Sequence, residues 1–163
     1  MDGYHLEYVG RNLPYLSESN LTVKGFDDEM LDEFIDLFDR SYEQLNIENH
    51  WQVDAYARSV ESFGQKLNLL NECGQVQSFW KDNQLIGAYI FEQKYITDIV
   101  VDPLYQNNGY GSCILAHCIR NMSGRKSIQN IRLRVAKSNS GAKKLYERRG
   151  FVPIACFAEH TYS

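Results

Sequence analysis

Apolar residues fall at Leu31, Phe34, Ile35, Phe38, Tyr42 and Leu45, spaced by three and four, with polar side chains between them. That period predicts an amphipathic helix over about 28–45, started by Asp27 and Asp28. The stretch "NIENHW" (46–51) interrupts it. Val53, Ala57, Val60, Phe63, Leu67 and Leu70 predict a second helix that ends near Gly74. Ile114, Leu115, Cys118, Ile119 and Met122 predict a third. "SNSGAKKLYERRG" (138–150) predicts a fourth, with Ser138 or Asn139 as cap and Gly150 as stop.

Between these helices the period shortens to that of strands. "LTVKGF" (21–26) alternates, and "VQSFWKDNQLIGAYIFE" (76–92) reads as two strands around a turn at Lys81, Asp82 and Asn83. "YITDIVV" (95–101) is apolar on both faces except for Asp98, which predicts a central strand that stops before Pro103. Alternation puts Asp98 on the face of Ile96 and Val100. "IQNIRLRVA" (128–136) and "FVPIACFA" (151–158) complete the strands. "GYHLEYVGRNL" (3–13) is an extra strand or an arm, broken by Pro14 and "SESN". The order β-α-α-β-β-β-α-β-α-β predicts an α/β layer structure with a mixed sheet. No repeat or linker divides it, so residues 1–163 are expected to form a single domain, with 1–20 as the extra strand or arm.

Composition narrows the function classes. The 163 residues are 44% hydrophobic and 23% charged, enough for one domain with a core. The net charge of −4 argues against nucleic acid, whose binders carry a basic stripe. No apolar run approaches the ~20 residues of a membrane span. The N-terminus has no basic n-region and no apolar h-region, so no signal peptide and a cytoplasmic location are expected. Cys73, Cys113, Cys118 and Cys156 form no CxxC pair and read as reduced thiols. His5, His50, His117 and His160 form no metal or triad pattern.

The chemistry-bearing stretch is "DPLYQNNGYGSCIL" (102–115), a loop between a buried strand and a helix start. Free N–H groups and the dipole of a helix N-terminus suit a phosphate or pyrophosphate. Gly109 and Gly111 allow close backbone approach. A P-loop is excluded, because Ser112 and Cys113 follow where Lys and Ser/Thr would stand. The dinucleotide fingerprint is excluded by Ile114 where Gly or Ala is needed. A turn without ligand stays open at this point.

"QNNGYG" (106–111) has the form Q-x-x-G-x-G. About thirty residues on, Asn139, Ala142, Leu145, Tyr146, Gly150 and Phe151 match N-x-x-A-x-x-L-Y-x-x-x-G-F. Together, in this order, they resemble the GNAT superfamily of N-acetyltransferases over about 21–158. The resemblance implies a central mixed sheet with a splayed strand pair, flanked by about four helices. It also implies acetyl-CoA as cosubstrate. The loop would cradle the pyrophosphate, with Gln106 at its first motif position, Asn107 and Ser112 beside it, and the amides of Asn108, Gly109, Tyr110 and Gly111 facing the phosphates. The backbone of Ile99, Val100 and Val101 would pair with the pantetheine arm. Family loops often carry Arg or Lys where this one has Asn107 and Asn108, so Lys143 and Lys144 are weak candidates for meeting the phosphate charge.

Acetyl transfer needs a neutral amine, and a lysine-like amine of pKa ~10.4 is neutral in only about one molecule in 2,500 at pH 7. Asp98 is the candidate general base, with Glu92 behind it; the alternative is a structural aspartate satisfied by backbone or water. The resemblance makes Tyr146 the acid that protonates the departing thiolate. Asn139 either caps the fourth helix or holds the pantetheine. A backbone N–H near Val100 or Val101 would meet the oxygen that gains charge. The first two helices and their loop imply an acceptor site with Tyr42, His50, Trp51 and Tyr56, whose aromatics suit a small cationic amine; Trp51 and Tyr42 are otherwise core. A non-catalytic acyl-CoA sensor, a protein N-terminal or lysine acetyltransferase, and a cofactor-free interaction domain are the competing readings. The edge of the last strand offers a route to a homodimer.

Overall fold

The structure, a computed structural model, describes residues 2–10 and 20–158. The end of the predicted N-terminal strand, the break at Pro14 and Ser17 to Ser19, and His160 lie outside the described residues. Among the described residues there are seven strands: β1 (Asp2–Tyr8), β2 (Thr22–Lys24), β3 (Val76–Lys81), β4 (Gln84–Glu92), β5 (Tyr95–Val101), β6 (Arg132–Ala136) and β7 (Phe151–Ala158). Four α-helices accompany them: α1 (Leu31–Glu48), α2 (Val60–Asn71), α3 (Tyr110–Ser123) and α4 (Ser140–Arg148).

The strands form one sheet in the order β2-β3-β4-β5-β6-β1-β7. Every neighbouring pair is antiparallel except β5 and β6. The N-terminal stretch is thus a strand, inserted between β6 and β7 and antiparallel to both. The turn between β3 and β4 has positive φ at Asp82 (50°) and Asn83 (64°), the primed geometry that matches strand twist.

Both faces of the sheet are packed. Phe34, Ile35, Leu37 and Phe38 of α1 join Phe63, Leu67 and Leu70 of α2 against Val76, Ala88, Ile90 and Val100. Ile114, Leu115, Cys118, Ile119 and Met122 of α3 cover Ile86, Tyr89, Phe91 and Leu133 on the other face. Each such side chain, once buried, stabilises by roughly 1.5–3 kcal/mol, which holds helices of modest intrinsic propensity in place. β4 is buried on both sides, a partner of both layers.

Three expectations need correction. α1 runs on through Asn46, Ile47 and Glu48, because its last turn keeps its ladder and "NIENHW" breaks it only at Asn49 and His50, where φ turns positive (57°). α2 starts at Val60, after a single 3-10 turn over Ala57–Ser59, because Asp39 holds the amides of Tyr56 and Ala57 in a bend (3.0 Å each). β6 starts at Arg132, since Asn130 has positive φ (60°).

A fourth correction bears on the site. Ile90 pairs with Asp98 while Phe91 pairs with Ile96, so Thr97 is an extra residue, a β-bulge. The bulge inverts the alternation. Ile96 packs in the α3 layer, while Asp98 turns to the α1 layer with Val100. Asp98 therefore does not share a face with Ile96.

Candidate active site

β5 and β6 pair only at Tyr95↔Arg132 and Ile96↔Leu133. Beyond Ile96 they splay, and β5 has a partner on one side only. Ile99, Val100 and Val101 line the resulting cavity, about 530 Å³ in volume. Ser41, Tyr42, Gln44, Leu45 and Glu48 of α1 form one wall, and Asn139, Ala142, Leu145, Tyr146 and Arg148 form the other. Asn49 Nδ2 reaches Ser138 Oγ at 3.4 Å, joining the walls at one point.

The loop closes one end. Gln106, Asn107, Gly109, Gly111 and Ser112 line it. Gly109 is the N-cap of α3 at φ 78°, a conformation costly for other residues, and no side chain caps the helix. The first amides of α3 are therefore left without an intrahelical or capping partner. Nothing stands within 4 Å of where a Gly109 Cβ would be, and Gly109, Gly111 and Ser112 at the start of α3 border the cavity. A Cβ on Gly111 would meet Leu145 Cδ2 at 3.3 Å, so this glycine brings α3 against α4. Asn108 Nδ2 donates to the carbonyls of Tyr105 and Gln106, 3.2 Å each, which holds the loop open. Asn108 and Tyr110 do not line the cavity with their side chains.

These features fit acetyl-CoA. A helix end with unpartnered amides would suit its phosphates, and a free strand edge would suit the amide-bearing arm. Lys143 is engaged elsewhere, 2.6 Å from Glu147 and 4.7 Å over the Tyr4 ring, and Lys144 is exposed away from the lining. Lys81 stands beside the start of α3, its Nζ donating to the Tyr110 hydroxyl at 3.1 Å. It comes from β3, and no local pattern in the sequence points to it.

The other end of the cavity carries the titratable groups. Tyr42 donates to Asp98 Oδ1 at 2.7 Å, and Thr97 Oγ1 donates to Oδ2 at 2.9 Å. Burial pushes the Asp98 pKa up, against those two hydrogen bonds and the Lys66 charge, which lower it. Burial also pushes Tyr42 well above its usual range, helped by the Asp98 charge. Tyr146 is half-buried and packs edge-on against Phe151 at 5.9 Å. Burial, then the Asp98 charge, push its phenol upward too. Tyr56 stacks on Tyr42 at 6.1 Å and is raised by burial. Glu92 pairs with Lys66 at 3.4 Å. Asn139 Oδ1 accepts from the Ala142 amide at 3.3 Å, so it caps α4 while lining the cavity.

The structure thus brings Tyr42, Asp98, Tyr146 and, behind Tyr42, Tyr56 together. It does not bring His50 and Trp51 to the cavity; they follow the end of α1, with His50 exposed and Trp51 half-buried. A further pair escaped the sequence reading. Asp102 is fully buried, and Arg40 Nη1 donates to its Oδ1 at 3.0 Å. Arg40 Nη2 stands 2.8 Å from Oδ2, off line for a hydrogen bond, so that second contact is one of charge. The pair ties α1 to the end of β5 at the mouth of the loop. The available signal was that Arg40 is the one basic residue in α1. Among the described residues, no three His, Cys, Asp or Glu side chains group as metal ligands, and no helix is long and apolar enough to cross a membrane.

The chain matches the acetyltransferase (GNAT) family over residues 29–151. Among curated relatives, the [ribosomal protein bS18]-alanine N-acetyltransferase of Escherichia coli K12 is 34% identical over 66 residues, 40% of this chain and 44% of that protein. The match spans less than half of that relative's length. Among solved structures, a GCN5-related N-acetyltransferase from Sphaerobacter thermophilus superposes with a TM-score of 0.72 at 15% identity, over 95% of this chain and 49% of the other. PaiA N-acetyltransferase from Thermoplasma acidophilum, in complex with coenzyme A, gives 0.68 at 17% identity over 78% and 87%. These structural likenesses show the fold.

Proposed function

The chain belongs to the GNAT acetyltransferase family, and from that premise we propose that it moves an acetyl group from acetyl-CoA directly to a primary amine with both substrates bound. The observation that carries this reading is the splayed β5–β6 pair, with open helix amides at one end of its cavity and Tyr42 and Tyr146 at the other, Asp98 and Tyr56 standing behind Tyr42. Acetyl-CoA supplies an activated thioester. The amides of residues 108–111 hold its phosphates, and the edge of Ile99 to Val101 orients its arm. Asp98 takes the proton from the amine, since its raised pKa makes it a better base than a surface carboxylate. Tyr146 keeps its proton at neutral pH and gives it to the leaving sulfur. A backbone N–H near Val100 or Val101 meets the oxygen that gains charge.

The acceptor we favour is a small cationic amine, entering beside Tyr42 and Tyr56. A second reading, a protein α-amine, is supported by the curated relative, which acts on the alanine of a ribosomal protein. Residues 1–163 act as a single domain in this proposal. The outer edge of β7, where Val152 and Ile154 are exposed, is where a second copy would pair.

The test is calorimetric titration with acetyl-CoA, followed by thiol release with 1,4-diaminobutane and with a peptide that begins in alanine. Micromolar binding and amine-dependent release support the proposal. Binding without release favours a sensor, and no binding removes the catalytic assignment.

A further inference from the structure

Asp98 does not line the cavity, whereas Tyr42 does. The Tyr42 hydroxyl lies between the two, donating to Asp98 Oδ1 at 2.7 Å. The other carboxylate oxygen is taken by Thr97 Oγ1. The Tyr42 ring is held by Tyr56, stacked at 6.1 Å, and by Phe38, edge-on at 6.3 Å. A base that sits behind a hydroxyl, with both oxygens engaged, reaches the cavity through that hydroxyl.

We propose that Tyr42 is a catalytic relay: the ammonium of the acceptor gives its proton to Tyr42 Oη while Tyr42 passes its own proton to Asp98 Oδ1. This rests on the reading of Asp98 as base. The step balances. One N–H bond and one O–H bond break, and two O–H bonds form. An ammonium and a carboxylate become a neutral amine and a neutral acid, with no charge left on the tyrosine. Burial pushes both pKa values upward, which disfavours negative charge on Tyr42 and makes Asp98 a more willing proton acceptor. The groups that face this pair are Lys66 of α2, Glu92 of β4, Tyr56 from the segment before α2 and Tyr146 of α4. Of these, Lys66 and Glu92 are paired with each other. Relay also explains why the bulge at Thr97 matters. Without the extra residue Asp98 would face the α3 layer, out of reach of α1.

The experiment compares wild type, Tyr42→Phe, Asp98→Asn and the double variant. The probes are acetyl-CoA with 1,4-diaminobutane and with a lysine-free peptide beginning in alanine. The expected result at pH 7 is a loss in kcat of roughly a hundredfold in each single variant, with KM for acetyl-CoA unchanged. The double variant is no slower than the slower single one, because both break one path. The Tyr42→Phe loss also shrinks as pH rises past the amine's own pKa, about 8 for the α-amine, because solvent then removes the proton. A second readout needs no turnover. In ligand-free protein, carbon-13 NMR of the Asp98 carboxyl shows a higher pKa in Tyr42→Phe, since the lost hydrogen bond favoured the carboxylate.

Several results overturn the relay. If Asp98→Asn is slow and Tyr42→Phe is not, the relay fails while Asp98 stands as base. A Tyr42→Phe loss that stays constant with pH marks a packing role. An unmoved Asp98 titration shows that the hydrogen bond is not there. If both single variants keep the wild-type rate, the assignment of Asp98 falls as well. Wild type that neither binds acetyl-CoA nor acetylates either probe removes the functional reading, and the relay with it.

Discussion

The two ends of the cavity are built on different principles. The loop end comes from one short stretch, Gln106, Asn107, Gly109, Gly111 and Ser112, with Gly109 at φ 78° and the unpartnered amides that open α3. The opposite end is made of side chains from distant places, Tyr42 on α1, Asp98 on β5 and Tyr146 on α4. The loop end tolerates changes of side chain but not of backbone conformation. The chemical end tolerates little change of either, because each group is tuned by burial and by the others' charge. Binding and chemistry should therefore separate cleanly under mutation.

The largest separation is expected at Tyr146. Replacing it with Phe should lower kcat by about a hundredfold, as measured by thiol release. Acetyl-CoA affinity by calorimetry should stay as it was, and an unchanged rate would remove Tyr146 as the acid. Next comes the brace between the two ends. Asp102→Ala leaves Arg40 with Asp36 as its remaining partner and removes the acceptor of the Leu104 amide. Because Arg40 keeps 35% exposure, the cost should be about 2–3 kcal/mol rather than the 3–5 of a fully buried pair, read from urea unfolding. A stability within error of wild type would show that the brace is idle.

A smaller effect isolates the loop. A Cβ at Gly109 meets no atom within 4 Å, yet Gly109→Val forces a β-branched residue to φ 78°. A strain of about 1–2 kcal/mol corresponds to roughly tenfold weaker acetyl-CoA binding. Turnover at saturating acetyl-CoA should hold. A fall in both would join the two ends that the structure keeps apart.

The smallest effect sharpens the chemical end. Burial raises Asp98 above its unfolded pKa, so its carboxylate costs stability once pH exceeds the unfolded value. Asp98→Asn should therefore melt higher than wild type at pH 7. The gain should fade as pH drops through the raised pKa towards the unfolded one, where Asp98 is protonated in both states. A variant that melts lower at pH 7 would mean that the carboxylate is held by its partners more than it is penalised by burial.

The strands and helices were readable where the pattern is local and regular. β5 and β7 have their predicted spans, and the Asp82–Asn83 turn follows from turn chemistry. The start of α2 was misplaced because Asp39, 17 and 18 positions back on α1, holds the amides that bend the chain there, which no periodicity carries. The loop was readable because a backbone site needs only neighbouring residues, and its glycines mark it. Of the side-chain end, Tyr146 and Asp98 were singled out through motif and oddity: one belongs to a spaced pattern, the other is a lone carboxylate in an apolar strand. Their joining through Tyr42 was not readable. It depends on the bulge at Thr97, and a one-residue slip of register leaves the amino-acid pattern of the strand unchanged.

The sequence by itself determined the element order, the glycine loop at the start of α3 and the family motifs, because each is written within a few neighbouring residues. Tertiary structure alone decided four things. It placed β1 between β6 and β7, and it turned Asp98 to the α1 layer. It also set Lys81 beside Tyr110 and closed the Arg40–Asp102 brace. Each joins residues 29 to about 150 positions apart, and such contacts are selected by the burial and charge balance of the whole packed sheet, which no local window of sequence contains.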